Sequence, residues 1–178
     1  HGVVDFAGSS VVHAMGGAAA LAGAIAIGPR IGKYRKDGTS VAIPGHHIPM
    51  AVVGTIILFF CWFAFNGSTL SGSDLRSAVV IVNTMIAGAF GGLAATFYTW
   101  KVYGKPDLSM ACNGSLAGLV AITAPCAFVD SIAAIIIGTI SGVLVCWAVV
   151  FIDGKLKIDD PVGASAVHLV NGCWSMIA

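Results

Sequence analysis

Two stretches of the chain carry the same polar residues in the same order. Residues 5–13 read DFAGSSVVH and residues 160–168 read DPVGASAVH, sharing D-x-x-G-x-S-x-V-H, and Gly17 and Gly172 extend the match past each histidine. Each histidine follows its aspartate by eight residues, about 12 Å along a helix at 1.5 Å per residue. Neutral imidazole offers one donor and one acceptor. Two facing rings, His13 and His168, can therefore share a proton, fix each other's tautomer and leave their remaining nitrogens for a guest with one hydrogen bond to give or take. Metal binding is the poorer use, because zinc needs a third and fourth ligand and no carboxylate or thiol stands at helical spacing to complete the set. Neither metal nor cofactor is expected. Ser-His-Asp and Cys-His constellations are missing too, so an enzyme is not expected.

The elements that position these residues are dictated by composition. The chain is 57% hydrophobic and 10% charged, contains no Glu and has a mean hydropathy of +0.93, where soluble domains carry roughly 25% charged residues. A net charge of +1 gives no field that would attract nucleic acid. A bilayer core needs about 20 apolar helical residues, and six uncharged stretches supply them: 6–29, 48–67, 77–100, 110–129, 131–152 and 161–178, the last cut short by the end of the chain. Barrel strands would alternate polar and apolar residues over about ten positions; these runs do not. The expected fold is all-α, a polytopic transmembrane helical bundle embedded in a lipid bilayer, formed as one transmembrane domain over 1–178. The chain opens at His1 without Met and closes within an apolar run, so a piece of a longer polypeptide is expected.

Charge in the loops orients the bundle. Arg30, Lys33, Arg35 and Lys36 follow the first stretch, Lys101 and Lys105 the third, Lys155 and Lys157 the fifth; only Arg76 lies on the other side. The positive-inside rule then places loops 30–37, 101–107 and 153–160 in the cytoplasm of a cell membrane protein. The first stretch descends and the sixth ascends, so the two Asp-to-His copies run in opposite directions. That is an inverted repeat, and its two-fold axis would bring His13 and His168 together near mid-membrane, where ionisable groups are costly and mark a pathway or relay.

At this point the chain resembles the ammonium transporter family (Amt/Mep/Rh). The likeness spans the whole chain and corresponds to about the fifth to tenth of that family's eleven helices. It is carried by DFAGSSVVH, by CWFAFNGST at 61–69, by IVNT at 81–84, by GKPDLSMACNGSLAGLVAITAPCAFV at 104–129 and by DDPVGASAVH at 159–168. The resemblance implies ammonium/ammonia as substrate: recruitment of the cation at an outer aromatic vestibule, deprotonation, and conduction past twin histidines. It implies that His13 and His168 line the pore and that Phe65 is one of two gate phenylalanines. Thr69, or the adjacent Ser68, supplies a hydroxyl to the vestibule. Asp5 organises the recruitment site without touching the ion, and Asp160 is its partner in the repeat. Trp62 joins the candidate pore residues, although Trp62 and Phe63 also read as interfacial or packing aromatics. The second gate phenylalanine and a vestibule tryptophan would belong to helices preceding His1. Both histidines being present is similar to the Amt-type branch. A homotrimer is implied, and a cytoplasmic regulatory protein is left open as a partner. The alternatives are an ammonium sensor of the same fold and, further off, a histidine-based proton or metal transporter.

Other features carry less. Cys61, Cys112, Cys126, Cys146 and Cys173 lie in apolar stretches without C-x-x-C spacing and read as small hydrophobes. Pro125 should disturb the fourth stretch near its outer end. Gly91, Gly92, Gly138 and Gly142 point to close helix contacts, within or between subunits.

Overall fold

Apolar runs without charge leave the main chain no aqueous partner in a bilayer, and helices satisfy its N–H and C=O groups internally. The computed structural model, which describes residues 2–70 and 74–178, follows that rule. Its helices are α1 (Met15–Ile27), α2 (Ile48–Gly67), α3 (Arg76–Tyr103), α4 (Leu108–Ile122), α5 (Ser131–Gly154) and α6 (Asn171–Ser175). π-Helical turns over Ser9–Ala14 and Ser165–Val170 lead into α1 and α6. Among the described residues, one antiparallel bridge between Tyr34 and Ser40 is the extent of β-pairing. Four stretches among the described residues are long and apolar enough to cross a membrane: Ser9–Ile27, Ile48–Gly67, Arg76–Tyr103 and Ser131–Gly154.

Short polar residues start the helices by accepting orphan N–H groups. Asp107 takes the N–H of Met110 at 2.9 Å for α4, and Asp130 takes that of Ala133 at 2.8 Å for α5. His47 Nδ1 does the same for Met50 at 3.0 Å, ahead of a proline in the first turn of α2.

Helix α4 closes at Ile122, well short of residue 129. Pro125 has no N–H to continue the ladder. The N–H of Ala124 donates to Ser175 Oγ at 3.2 Å, and that of Thr123 folds back to the Val120 carbonyl at 3.1 Å. The carbonyls released are taken up by neighbours. Phe6 N–H donates to Ala124 and Ala7 N–H to Thr123, each at 3.1 Å, while Asn83 Nδ2 donates to Cys126 (3.0 Å) and Val129 (2.8 Å).

Helix α3 is the centre of the bundle, with α4 and α5 against it through small residues. Gly91 meets the carbonyl of Gly114, Gly118 and Gly138 meet that of Ala87, and Gly142 meets that of Gly91. Backbones this close leave no room for a side chain, and the dispersion gained there replaces a hydrophobic force that lipid cannot supply. The glycine contacts expected from sequence thus lie within the chain. At the basic end, Arg30 grips Asp159 through Nε (2.8 Å), Nη2 (2.9 Å) and its own N–H (2.9 Å). That grip holds the Asp159 carboxyl below its ordinary range. Asp153 gathers Lys33 (2.9 Å), Tyr34 (2.9 Å) and Ser40 (2.6 Å), so the loop after α1 is fastened to the end of α5.

Candidate functional site: a histidine pair at the crossing of two π-helical turns

The repeat in sequence becomes a repeat in structure. Asp5 accepts the N–H of Gly8 (3.2 Å), Ser9 (2.6 Å) and Ser10 (2.7 Å) and the hydroxyl of Ser10 (2.6 Å). Asp160 accepts the N–H of Ala164 (3.0 Å) and Ser165 (2.7 Å). Each carboxylate therefore satisfies the opening turn of its helix. Burial, the largest single influence on Asp5, raises its pKa, but the hydrogen bonds from Ser10, Ser9 and Val11 together bring it below the ordinary carboxylate value. Gly8 (φ 97°) and Gly163 (φ 75°) take the left-handed conformation just ahead of each π turn. The widened turn is the kind of helix irregularity found at functional sites.

The two copies cross at their glycines. Gly17 lies against the backbone of Leu169 and His168, and Gly172 lies against Ala14 and Ser9, where a Cβ would fall 2.8 Å from the Ala14 nitrogen and 2.9 Å from the Ser9 carbonyl. Each copy thus presents its glycine to the other's histidine turn, the reciprocity that a two-fold relation requires.

This crossing brings the imidazoles together. His168 Nδ1 and His13 Nδ1 are 3.3 Å apart, with ring centroids separated by 5.3 Å and planes inclined by 21°. One nitrogen of that contact donates and the other accepts, so one ring's protonation fixes the tautomer of the other. His13 is buried, 7% exposed, and its Nε2 has no hydrogen-bond partner. Trp62 stacks on His13 with centroids 4.9 Å apart and planes 17° apart, and Phe65 leans on the same ring at 5.3 Å. Trp62 and Phe65 also touch, at 5.6 Å. Phe65 is 39% exposed, whereas Trp62 is 6% exposed. Ser68 and Thr69 close the end of α2 one turn beyond Phe65, with their N–H groups directed to Ala64 (2.9 Å) and Asn66 (3.4 Å).

Of the residues singled out in the sequence, the fold brings His13, His168, Trp62 and Phe65 into one cluster, and Asp5 and Asp160 brace the turns that carry the histidines. Thr123 went unnoticed. Its hydroxyl accepts the Trp62 indole N–H at 3.0 Å. The one local signal was Pro125, two residues further on, which stops the helix ladder so that Thr123 caps α4.

A family model matches residues 1–178, the entire chain, and its description is Ammonium Transporter Family. The chain belongs to that family. Among relatives, it is 51% identical over 179 residues to the ammonium transporter Amt2 of Archaeoglobus fulgidus, covering 100% of this chain and 38% of Amt2. Among solved structures, a Sensor Amt Protein superposes with a TM-score of 0.96 at 44% identity, over 99% of this chain and 44% of that one. The G343C mutant of Candida albicans Mep2 superposes with a TM-score of 0.88 at 34% identity, over 98% and 38%. The chain therefore spans less than half the length of these relatives. As a member of the ammonium transporter family it is a multi-pass membrane protein, from a family of transporters and not of enzymes.

Proposed function

We propose that this chain supplies the histidine-lined half of an ammonium/ammonia transport path. The observation that carries the reading is the 3.3 Å imidazole contact together with the buried, unpartnered Nε2 of His13. A buried polar nitrogen without a partner is costly; a guest that donates one hydrogen bond would remove that cost. An unpaired ammonium ion in hydrocarbon would cost tens of kcal/mol by an idealised estimate. Shedding its proton costs only about 1.4 kcal/mol for each pKa unit above ambient pH. The cation meets π faces first: Phe65 is partly exposed at the end of the cluster and suits an ammonium ion, with the Thr69 or Ser68 hydroxyl beside it. Neutral ammonia then passes the histidines, and a potassium ion, with no proton to lose, is refused. Asp5 and Asp160 act by holding the two π turns in shape.

The same reading takes the basic loops 30–37, 101–107 and 153–160 as cytoplasmic, the membrane as the cell membrane, and the whole protein as a homotrimer. A cytoplasmic regulatory protein would meet it on that basic side. Transport is preferred to sensing because the 51% identical relative is an ammonium transporter. The test is methylammonium uptake by the full-length protein in vesicles. Wild type should exceed a no-protein control, and His13→Ala and His168→Ala should each lower uptake or admit potassium. Uptake by wild type equal to the control defeats the proposal.

A further inference from the structure

The two copies of the repeat agree in their aspartates, glycines and π turns, yet only His13 has an indole stacked on it among the ring contacts of the described residues. Something outside the repeat must hold that indole in place. An indole has a single polar atom, a donor, and it needs an acceptor when buried. Trp62 finds that acceptor in Thr123 Oγ1 at 3.0 Å.

Thr123 is suited to the task. It is fully buried, and its hydroxyl hydrogen is committed to the Leu119 carbonyl at 2.7 Å. The oxygen lone pairs are thereby left to receive the indole. Its carbonyl accepts the N–H of Ala7 at 3.1 Å, between Asp5 and the Gly8 turn, so the chain entering the first π turn is fastened to the same residue. One turn earlier the Ser9 hydroxyl donates to the Val120 carbonyl at 2.9 Å. The plate over His13 and the turn that carries His13 are both referenced to the end of α4. A lost or rotated hydroxyl would free the indole to tilt, and the His13 ring, held 17° from parallel beneath it, would tilt with it. Nothing in the pairing of His13 with His168 alone fixes that angle.

We infer that Thr123 is the positioning residue of the histidine pair: it orients Trp62 through the indole N–H and thereby sets the plane of His13. The inference rests on the proposed conduction past that pair. The Thr123 hydroxyl touches no substrate and acts on His13 through Trp62.

The experiment compares full-length wild type, T123V, T123S, W62F and W62F/T123V, with T123A standing in should T123V not accumulate. Uptake of methylammonium is read beside the nitrogen-15 signals of the Trp62 indole and the two imidazoles. T123V should move the indole signal to that of an unbonded N–H and change the His13 ring signals. It should lower uptake by about tenfold, the effect of leaving the buried indole N–H unpaired, while T123S restores both. In the W62F background T123V should add nothing further. Unchanged indole and imidazole signals in T123V, or an equal loss of uptake from T123V with and without Trp62, overturns the inference. Uptake by wild type no greater than the control would instead defeat the transport reading, and the nitrogen signals would still decide the role of Thr123.

Discussion

Asp5 shows how much one carboxylate can organise. It accepts four hydrogen bonds, from three backbone N–H groups and the Ser10 hydroxyl, at the end of a helix where donors outnumber acceptors. Asp5→Asn keeps the shape but turns one acceptor into a donor facing Ser9 or Ser10. The expected loss is about 1–3 kcal/mol, the cost of a partly buried donor left unpaired, read as a lower melting temperature of the full-length protein. The pH dependence has a definite sign. Because hydrogen bonding holds the folded carboxyl below its ordinary pKa, its contribution is whole above the unfolded pKa and is lost as pH falls through the folded one. The Asn variant should lack that share of the acid loss, and equal acid sensitivity in both proteins would contradict the assignment.

At the scale of elements, the crossing of the two π turns depends on the absence of two side chains. Gly17 abuts the Leu169 backbone and Gly172 the Ala14 backbone, and backbone cannot give way as a flexible side chain can. Gly17→Ala should therefore destabilise by at least the 1–3 kcal/mol typical of overpacking, on the order of its upper end. Gly16→Ala, with nothing within 4 Å of its added methyl, should leave the melting temperature unmoved or slightly raised, since alanine is the better helix former. Equal melting temperatures for the two variants would show that the turns separate readily. The same logic explains α4: once Pro125 stops the ladder, Ala7, Phe6, Asn83 and Ser175 supply the missing partners, and the helix end becomes the junction of four elements.

At the scale of the molecule, two of the basic loops, 30–37 and 153–160, are fastened to each other. Arg30 holds Asp159, and Lys33 and Tyr34 hold Asp153. The proposed orientation makes this a cytoplasmic surface. A membrane-impermeant thiol reagent should label Lys36→Cys and Lys105→Cys in the full-length protein only after the membrane is opened, and Leu75→Cys, 90% exposed at the start of α3, without opening it. Labelling of Lys36→Cys in sealed cells would invert the orientation. Purified full-length protein should have the mass of three copies.

What the sequence determined by itself is the part written in composition and repetition. Too few charges for a soluble domain make the chain helical and membrane-borne, and the matched D-x-x-G-x-S-x-V-H copies identify the histidines, because burying an ionisable group is too costly to happen twice in register by accident. The tertiary structure alone decided which glycines face which backbone, that α4 stops at Ile122, and that Trp62 lies flat on His13 with Thr123 behind it. Those contacts join residues far apart in the chain. Local pattern records the propensity of a segment and the side it must bury, whereas a stacking plane or an indole's acceptor is fixed only when separate helices are brought against one another.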